Sequence, residues 1–314
     1  MARTPERSLK DARTVGPGDP TGADGGAVSA TWHEYRAGSD SRDQEWAPVR
    51  AEVIEEALVA IYLNGQELAT IMCTPSDQVA LAVGFLKNEG LISGLKDVEL
   101  THVSQNGCCV DVWTRRPVVR PRRPIITSGC GGGVTFTDPS VGIEPLRDAT
   151  RLPAERLFGL FNQLHYPGSL HARTRGVHAA ALSDGERLLA RVEDVGRHNT
   201  IDKLLGLCLL NGIETAGRIL LATGRVSSEM LRKGALMGCP IIASRNSPTS
   251  MSVTMAEAWN ITLAGYVRQG SMRVYAHPER LGMADTAQAR RPRARAEAYD
   301  GPEGRPIEPA ERKG

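Results

Sequence analysis

The sequence predicts a mixed α/β protein, overall α+β, in which a small N-terminal α+β domain leads into a layered α/β domain. Three observations carry this. The turns Asn64-Gly65 and Asn106-Gly107 each separate two apolar β-type runs, and Asn-Gly readily takes the positive φ angles of a tight hairpin turn. The apolar period changes at Thr150 to that of an amphipathic helix. From Ile219 onward, short apolar strands alternate with helical segments, the pattern of a sheet with some parallel strands.

The first hairpin spans Ala57 to Met72 around Asn64-Gly65. After Thr74-Pro75, Ser76 or Asp77 is placed to cap a helix whose apolar residues include Val79, Leu81, Val83, Phe85 and Leu86, with a stop at Gly90. The second hairpin runs from Val98 to Trp113. Leu157, Leu160, Phe161 and Leu164 mark a helix, and Ala179 to Val192 a further hairpin. A helix then opens near Asp194 to Asn199 and ends at Asn211-Gly212. Thereafter the expected order is strand Ile219 to Ala222, helix Ser227 to Met237, strand Pro240 to Ala243, helix Ser250 to Trp259, and strands Ile261 to Val267 and Met272 to Tyr275.

Composition bounds the rest. The chain has 314 residues, enough for two folded units. Residues 1–42 and 284–314 are polar and poor in large apolar side chains, so both read as disordered tails. That leaves 43–149 as the small domain, ending in a basic stretch and a cysteine loop, and 150–283 as the α/β domain. A net charge of +2 with 4% aromatic residues argues against nucleic-acid binding. No run of eighteen apolar residues is present, and no apolar signal core follows the first basic residues, so no membrane association is expected. The six cysteines, at 73, 108, 109, 130, 208 and 239, show no disulfide-framework spacing. Neighbouring Cys108 and Cys109 are poorly placed to bridge each other, and with Cys73 they read as packing residues. A reducing, cytoplasmic compartment is expected.

One stretch combines features that favour chemistry. Ile125-Ile126-Thr127-Ser128-Gly129-Cys130-Gly131-Gly132-Gly133 places a cysteine in a glycine loop after an apolar run, and Arg115, Arg116, Arg120, Arg122 and Arg123 lie just upstream. Glycines allow close approach to the backbone, and nearby guanidinium groups favour the thiolate, the nucleophilic form of sulfur. The plain structural alternative is a turn beside a semi-extended Arg-Pro connector. Three polar clusters fall where strands end and helices begin: Asp194 to Asn199, Thr223 to Ser228 and Arg245 to Ser250. Ligands bind at such strand ends in open α/β sheets, and helix N-termini favour phosphate, so an anionic ligand such as a nucleotide is expected. Singly, Ser, Thr and Asn at these places also serve as helix caps. His178, His198 and Asp194 read as hydrogen-bonding residues.

The motifs Thr127-Ser128-Gly129-Cys130-Gly131, Gly176-Val177-His178-Ala179-Ala180-Ala181, Glu193-Asp194-Val195-Gly196-Arg197-His198-Asn199 with Asp202-Lys203, and Thr223-Gly224-Arg225-Val226-Ser227-Ser228-Glu229 resemble the FdhD/NarQ family of formate dehydrogenase accessory sulfurtransferases. Leu81 to Gly90 and Tyr266-Val267-Arg268-Gln269-Gly270 extend the resemblance, which runs from about Val53 to Tyr275. The resemblance implies a cytoplasmic homodimer whose larger domain is similar in fold to cytidine deaminases. It implies a sulfur carrier that takes persulfide sulfur from a cysteine desulfurase and passes it to the molybdenum or tungsten of a bis-guanine-dinucleotide pterin cofactor, serving formate dehydrogenase. On that basis Cys130 is the expected catalytic persulfide carrier, and Tyr266, Val267, Arg268, Gln269, Gly270 and Ser271 are expected at the guanine dinucleotide. Arg225 and Arg197 are placed with them on charge grounds. No protein-held metal is expected.

The family loop often reads Cys-Gly-x-Cys-Gly, whereas the second cysteine position here is Gly133. A two-thiol relay within the loop is therefore excluded, while exchange through one persulfide is not. Two rivals stand beside sulfur transfer. A zinc deaminase needs His-x-Glu and Pro-Cys-x-x-Cys, but Ala179-Ala180 follow His178 and no Cys-x-x-Cys occurs. A non-catalytic cofactor chaperone would use the same pocket with Cys130 as a docking residue.

Overall fold

Strand Ala27–Arg36 (β1) pairs antiparallel with Glu45–Ile54 (β2) in a ribbon of its own. The computed structural model describes residues 25–36, 45–121, 125–126, 134–136, 138 and 142–284. β1 lies inside the stretch whose composition reads as a tail. The reason is period-two patterning: Val28, Ala30 and Trp32 face Val53, Ala51 and Val49 across the ribbon, a stripe that an average over a polar segment hides. Its foot is held by Glu55 N–H to Gly26 O at 2.8 Å and by Arg173, which donates to Glu52 at 2.7 Å.

A four-stranded sheet follows, ordered β4-β3-β6-β5. Its strands are Ala57–Leu63 (β3), Gln66–Cys73 (β4), Val98–Val103 (β5) and Cys109–Thr114 (β6), and both predicted hairpins are present. Val59, Ile61, Leu63, Val110 and Val112 point inward onto helix Gln78–Asn88 (α1). The cap of this helix differs from expectation. Asp77 occupies the N-cap position with φ 52° and makes no side-chain cap bond. The turn is fastened instead by Gln78 Nε2 to Pro75 O at 3.0 Å and by Lys203 Nζ to Thr74 O at 2.9 Å.

The larger sheet has six strands, ordered β10-β9-β11-β12-β13-β14. These are His178–Ser183 (β9), Leu188–Asp194 (β10), Ile219–Ala222 (β11), Ile241–Ser244 (β12), Thr262–Arg268 (β13) and Ser271–Ala276 (β14). β11, β12 and β13 run parallel, and the other pairings are antiparallel. The two parallel strands β11 and β12 are buried throughout, which is why their sequence is continuously apolar rather than alternating. Helices Arg197–Leu210 (α4), Ser228–Leu236 (α5) and Ser250–Ala258 (α6) cover one face, packing Leu204, Leu231 and Ala256 with Leu182, Leu220 and Ile242. Helix Ala154–Leu164 (α2) covers the other, setting Leu157, Leu160 and Phe161 against Ala179, Leu221 and Ile241. A short helix, Leu170–Thr174 (α3), carries no long apolar period and is absent from the sequence reading.

The two sheets meet through α1 and α4. A Cβ on Gly84 would lie 1.8 Å from the Asp202 carbonyl oxygen, and one on Gly206 would lie 1.9 Å from that of Ala80. The helices therefore touch backbone to backbone, an approach that only glycine permits. Between the small sheet and α4, α1 has no solvent side along most of its length, so its sequence is apolar nearly all round. Residues 1–282 cluster as one unit, and of the second, 283–314, only Met283 and Ala284 are described.

Candidate functional site

The α1–α4 seam ends in a buried polar network that shapes the strand ends above it. Asp194, the last residue of β10, and Lys203, on α4, form an ion pair at 2.7 Å with both side chains fully buried. Unpaired charges in such a place would be costly, so every remaining valence is filled. Asp194 accepts from Thr74 N–H at 3.1 Å, Gly196 N–H at 2.7 Å and Asn199 Nδ2 at 2.8 Å. Asn199 also donates to Met72 O at 2.8 Å. The cluster Asp194 to Asn199, read in the sequence as a strand-to-helix junction, is thus also the bolt between the two sheets.

A second buried network starts at the other end of α1. Asn88 Nδ2 donates to Asp202 at 2.6 Å, Asp202 pairs with Lys233 at 2.8 Å, and Lys233 reaches Glu229 at 3.3 Å. Burial alone would lower the Lys233 pKa, but Asp202 and Glu229 outweigh it and hold the ammonium protonated well above its usual range. His198 Nε2 lies 3.4 Å from Glu229 and 3.3 Å from Ser227 Oγ. Burial pulls His198 down to about 4 despite Glu229, so the ring is neutral near pH 7. Glu89, next to Asn88, is buried and accepts from Thr135 Oγ1 at 3.0 Å and Phe136 N–H at 2.7 Å. Burial raises its carboxyl above the usual range. Thr135 closes the pair Ile125–Ile126 (β7) and Val134–Thr135 (β8). In sequence the cysteine loop falls between these two strands, and Glu89 fastens the strand that follows it.

At the edge of the large sheet, the polar clusters predicted from sequence converge. The loops after β11 and β12 are laced together: Ser244 Oγ donates to Gly224 O at 2.6 Å, Val226 N–H to Ser247 O at 3.0 Å and Tyr266 N–H to Asn246 O at 3.2 Å. Thr223 Oγ1 accepts from Ala179 N–H at 2.9 Å, bringing in β9 and His178. This gathers Arg225, Arg245 and Arg268 at the ends of three neighbouring strands, and none of them has an ion pair among the described residues. Arg245 donates to Phe161 O at 3.2 Å, and its Nε is buried without a hydrogen-bond partner. His165 stacks on His171 at 3.9 Å, and the Nδ1 of each is likewise buried without a partner. Burial, then His171, Arg245 and Arg175, pull His165 down to about 4. Orphaned donors and acceptors beside uncompensated cations fit a polar, anionic guest. The helix N-termini contribute unequally. Ser227 caps α5 and a Thr249–Ser252 capping box closes α6, whereas α4 begins at Gly196 with no side-chain cap.

The individual site expectations map as follows. Cys130 and the glycines around it lie outside the described residues. Arg197, the first residue of α4, is buried, with its Cβ against Gly224. Arg225 and Arg268 are exposed. Tyr266 adopts φ 52° and lies under the Arg273 guanidinium at 3.9 Å. Val267 is a buried core residue under α2. Gln269 and Gly270 form the exposed β13–β14 turn, and Ser271 opens β14. Sequence reading missed His165, His171 and Glu89. The two histidines belong to no repeating pattern, and Glu89 looks like an ordinary end of a helix. Cys108 and Cys109 also depart from expectation: both are half-buried, and their sulfurs are 3.7 Å apart. Cys109 takes the outward side of a strand whose inward side is Val110 and Val112.

Fold and site together define an α/β protein that carries arginines at the ends of adjacent strands of its large sheet. Residues 54–282 match the FdhD/NarQ family, and the chain belongs to it. It is 35% identical over 262 residues to the sulfur carrier protein FdhD of Bacillus subtilis, covering 81% of this chain and 97% of that protein. It is 36% identical over 247 residues to the protein of the same name from Halalkalibacterium halodurans, covering 76% of this chain and 92% of that one. A crystal structure of a formate dehydrogenase accessory protein from Desulfotalea psychrophila superposes with a TM-score of 0.67 at 26% identity, covering 82% of this chain and 99% of that one.

Proposed function

We propose that this protein is a cytoplasmic sulfur carrier. It takes sulfur from a cysteine desulfurase onto Cys130 and delivers it to the molybdenum or tungsten of a bis-guanine-dinucleotide pterin cofactor destined for formate dehydrogenase. The observation that carries the reading is the gathering of Arg225, Arg245 and Arg268 at adjacent strand ends without carboxylate partners among the described residues. That arrangement suits the phosphates of a dinucleotide, with Tyr266 and the β13–β14 turn at its rim. The names of the relatives support the sulfur chemistry.

In this reading the Cys130 thiolate attacks the outer sulfur of the donor persulfide. The bond to that sulfur forms as the donor thiolate leaves with the electron pair. The cofactor is the substrate that receives this sulfur, and the chain's part is to hold its phosphates and to present the persulfide. Glu89 holds Thr135 and Phe136, in and just after the strand that follows the loop. A single loop thiol suffices for this sequence of steps, which is how Gly133 is accommodated. Two copies form the working dimer.

The test incubates the protein with a cysteine desulfurase and cysteine and reads intact mass with and without reductant. A reducible gain of one sulfur, absent from Cys130→Ala, is expected. No gain with guanine-nucleotide binding retained would establish the cofactor-chaperone role in its place.

A further inference from the structure

Five of the six cysteines fall among the described residues, and they divide sharply. Cys73, Cys208 and Cys239 are buried. Burial pushes the thiols of Cys73 and Cys208 up to about 12 and raises Cys239 likewise, so all three are inert. Cys108 and Cys109 are half-buried at the turn between β5 and β6, with Sγ atoms 3.7 Å apart. Adjacent residues on a strand ordinarily point to opposite faces. Here the turn brings both sulfurs to one side: Cys109 N–H donates to Ser104 Oγ at 3.0 Å, and Asn106 Oδ1 accepts from Cys108 N–H at 3.3 Å and from its thiol at 2.9 Å. Gly107, at φ 70°, permits the reversal.

We propose that Cys108 and Cys109 form a second sulfur-handling site, one that takes sulfane sulfur from a persulfide and discharges it as hydrosulfide. It relies on the sulfur-carrier reading only for the presence of persulfide in the protein's surroundings. Within the site the two thiols are unequal. Hydrogen bonding from Cys109 lowers the Cys108 thiol, with Ser104 acting in the same direction against partial desolvation. The same contact raises Cys109, with burial, the Cys108 charge and Glu67 acting in the same direction. Cys108 is therefore the attacking thiolate and Cys109 the resolving thiol.

The steps balance without an external oxidant. Cys108 thiolate attacks the outer sulfur of R–S–SH; the new S–S bond forms, the old one breaks, and RS⁻ leaves with the electron pair. Cys109 loses its proton to solvent and attacks Cys108 Sγ; the Cys108–Cys109 bond forms and HS⁻ leaves. The sulfane sulfur gains two electrons and two thiols become one disulfide. Adjacent Cα atoms are only about 3.8 Å apart, shorter than the usual disulfide span, so this bond is strained and easily reduced. A thiol reductant supplying two electrons resets the site. The site gives the chain a resolving thiol pair that its own cysteine loop, with Gly133, lacks.

The experiment uses full-length protein carrying Cys130→Ala, treated with glutathione persulfide. Hydrosulfide release is expected to exceed that of Cys108→Ser/Cys130→Ala on the order of tenfold. The Cys108–Cys109 peptide should lose two hydrogens, recovered on reduction. Cys109→Ser/Cys130→Ala should instead retain one added sulfur on Cys108 without releasing hydrosulfide. Both serines stand at a half-exposed turn, and unchanged thermal unfolding confirms that the variants are folded. Equal hydrosulfide release from the two proteins, or no sulfur on Cys108 in the Cys109→Ser background, overturns the proposal. Failure of Cys130 to load from a desulfurase, with the dithiol still active, would sink the carrier reading alone.

Discussion

In the seam between α1, α4 and α5, Lys203 meets Asp194 and Lys233 meets Asp202, at 2.7 and 2.8 Å, with side chains almost wholly removed from solvent. At the neighbouring sheet edge, Arg225 and Arg268 stand exposed and Arg245 half-buried, and none of these three meets a carboxylate among the described residues. The difference follows from dielectric. A charge taken out of water requires a partner built into the fold, whereas one left at a wet rim can remain uncommitted and be spent on a ligand. Both regions are charge-rich in sequence, but the first fastens the fold, and we propose the second as the place where a ligand is received. Substitutions in the first should act on stability and those in the second on binding.

The strongest way to break that comparison is Lys203→Met. It strands the Asp194 carboxylate, 0% exposed, and a loss of about 3–5 kcal/mol in urea unfolding is expected. A loss under about 1 kcal/mol would show that the seam tolerates a lone charge, as the rim does.

A slightly smaller effect should appear as pH dependence. His198 titrates near 4 in the fold against an ordinary 6.5. The unfolded chain therefore takes up a proton first as pH falls, and stability drops between about pH 6.5 and 4. A depression of this size corresponds to about 3 kcal/mol. His198→Gln should flatten that limb of a stability-versus-pH curve measured by chemical denaturation, and an unchanged limb would remove His198 from the network's energetics.

The smallest effect on the fold should come from the rim. Arg225→Gln is expected to shift stability by less than about 0.5 kcal/mol. Its affinity for a guanine nucleotide in calorimetry should fall about tenfold, with a shallower salt dependence. Arg225→Gln protein that unfolds like the Lys203 variant, or that binds normally, would collapse the distinction between the two regions.

Much of the fold was legible because its signals are local. Asn64-Gly65, both at positive φ, fixes the first hairpin through backbone preference; Gly107 and side-chain bonds of Ser104 and Asn106 turn the second, and the spacing of Leu157, Leu160, Phe161 and Leu164 fixes the buried stripe of α2. The ribbon β1–β2 escaped because its apolar stripe is diluted by polar neighbours, and α3 because five residues carry too little period. For the site, the strand-end clusters were recognisable as junctions; of the two arginines named on charge grounds, Arg225 is exposed and Arg197 is buried. Val267 lies on the α2 side with Ala264 because β13 is irregular between Gly265 and Arg268, where Tyr266 takes φ 52°, and motif membership does not reveal such a break in strand alternation.

By itself, then, the sequence determined the hairpins, the helical stripes, the order of the longer strands and helices from Ala57 onward and the motifs that place it in its family, all of which depend on residues close together in the chain. Only the tertiary structure decided which charges are buried in pairs, that Glu89 grips the strand leaving the cysteine loop, that His165 stacks on His171, and that two adjacent cysteine sulfurs share one side of a turn. These depend on groups far apart in sequence, or on a backbone reversal, meeting where water is excluded. Burial and distance there set pKa values and partners that composition and spacing do not encode.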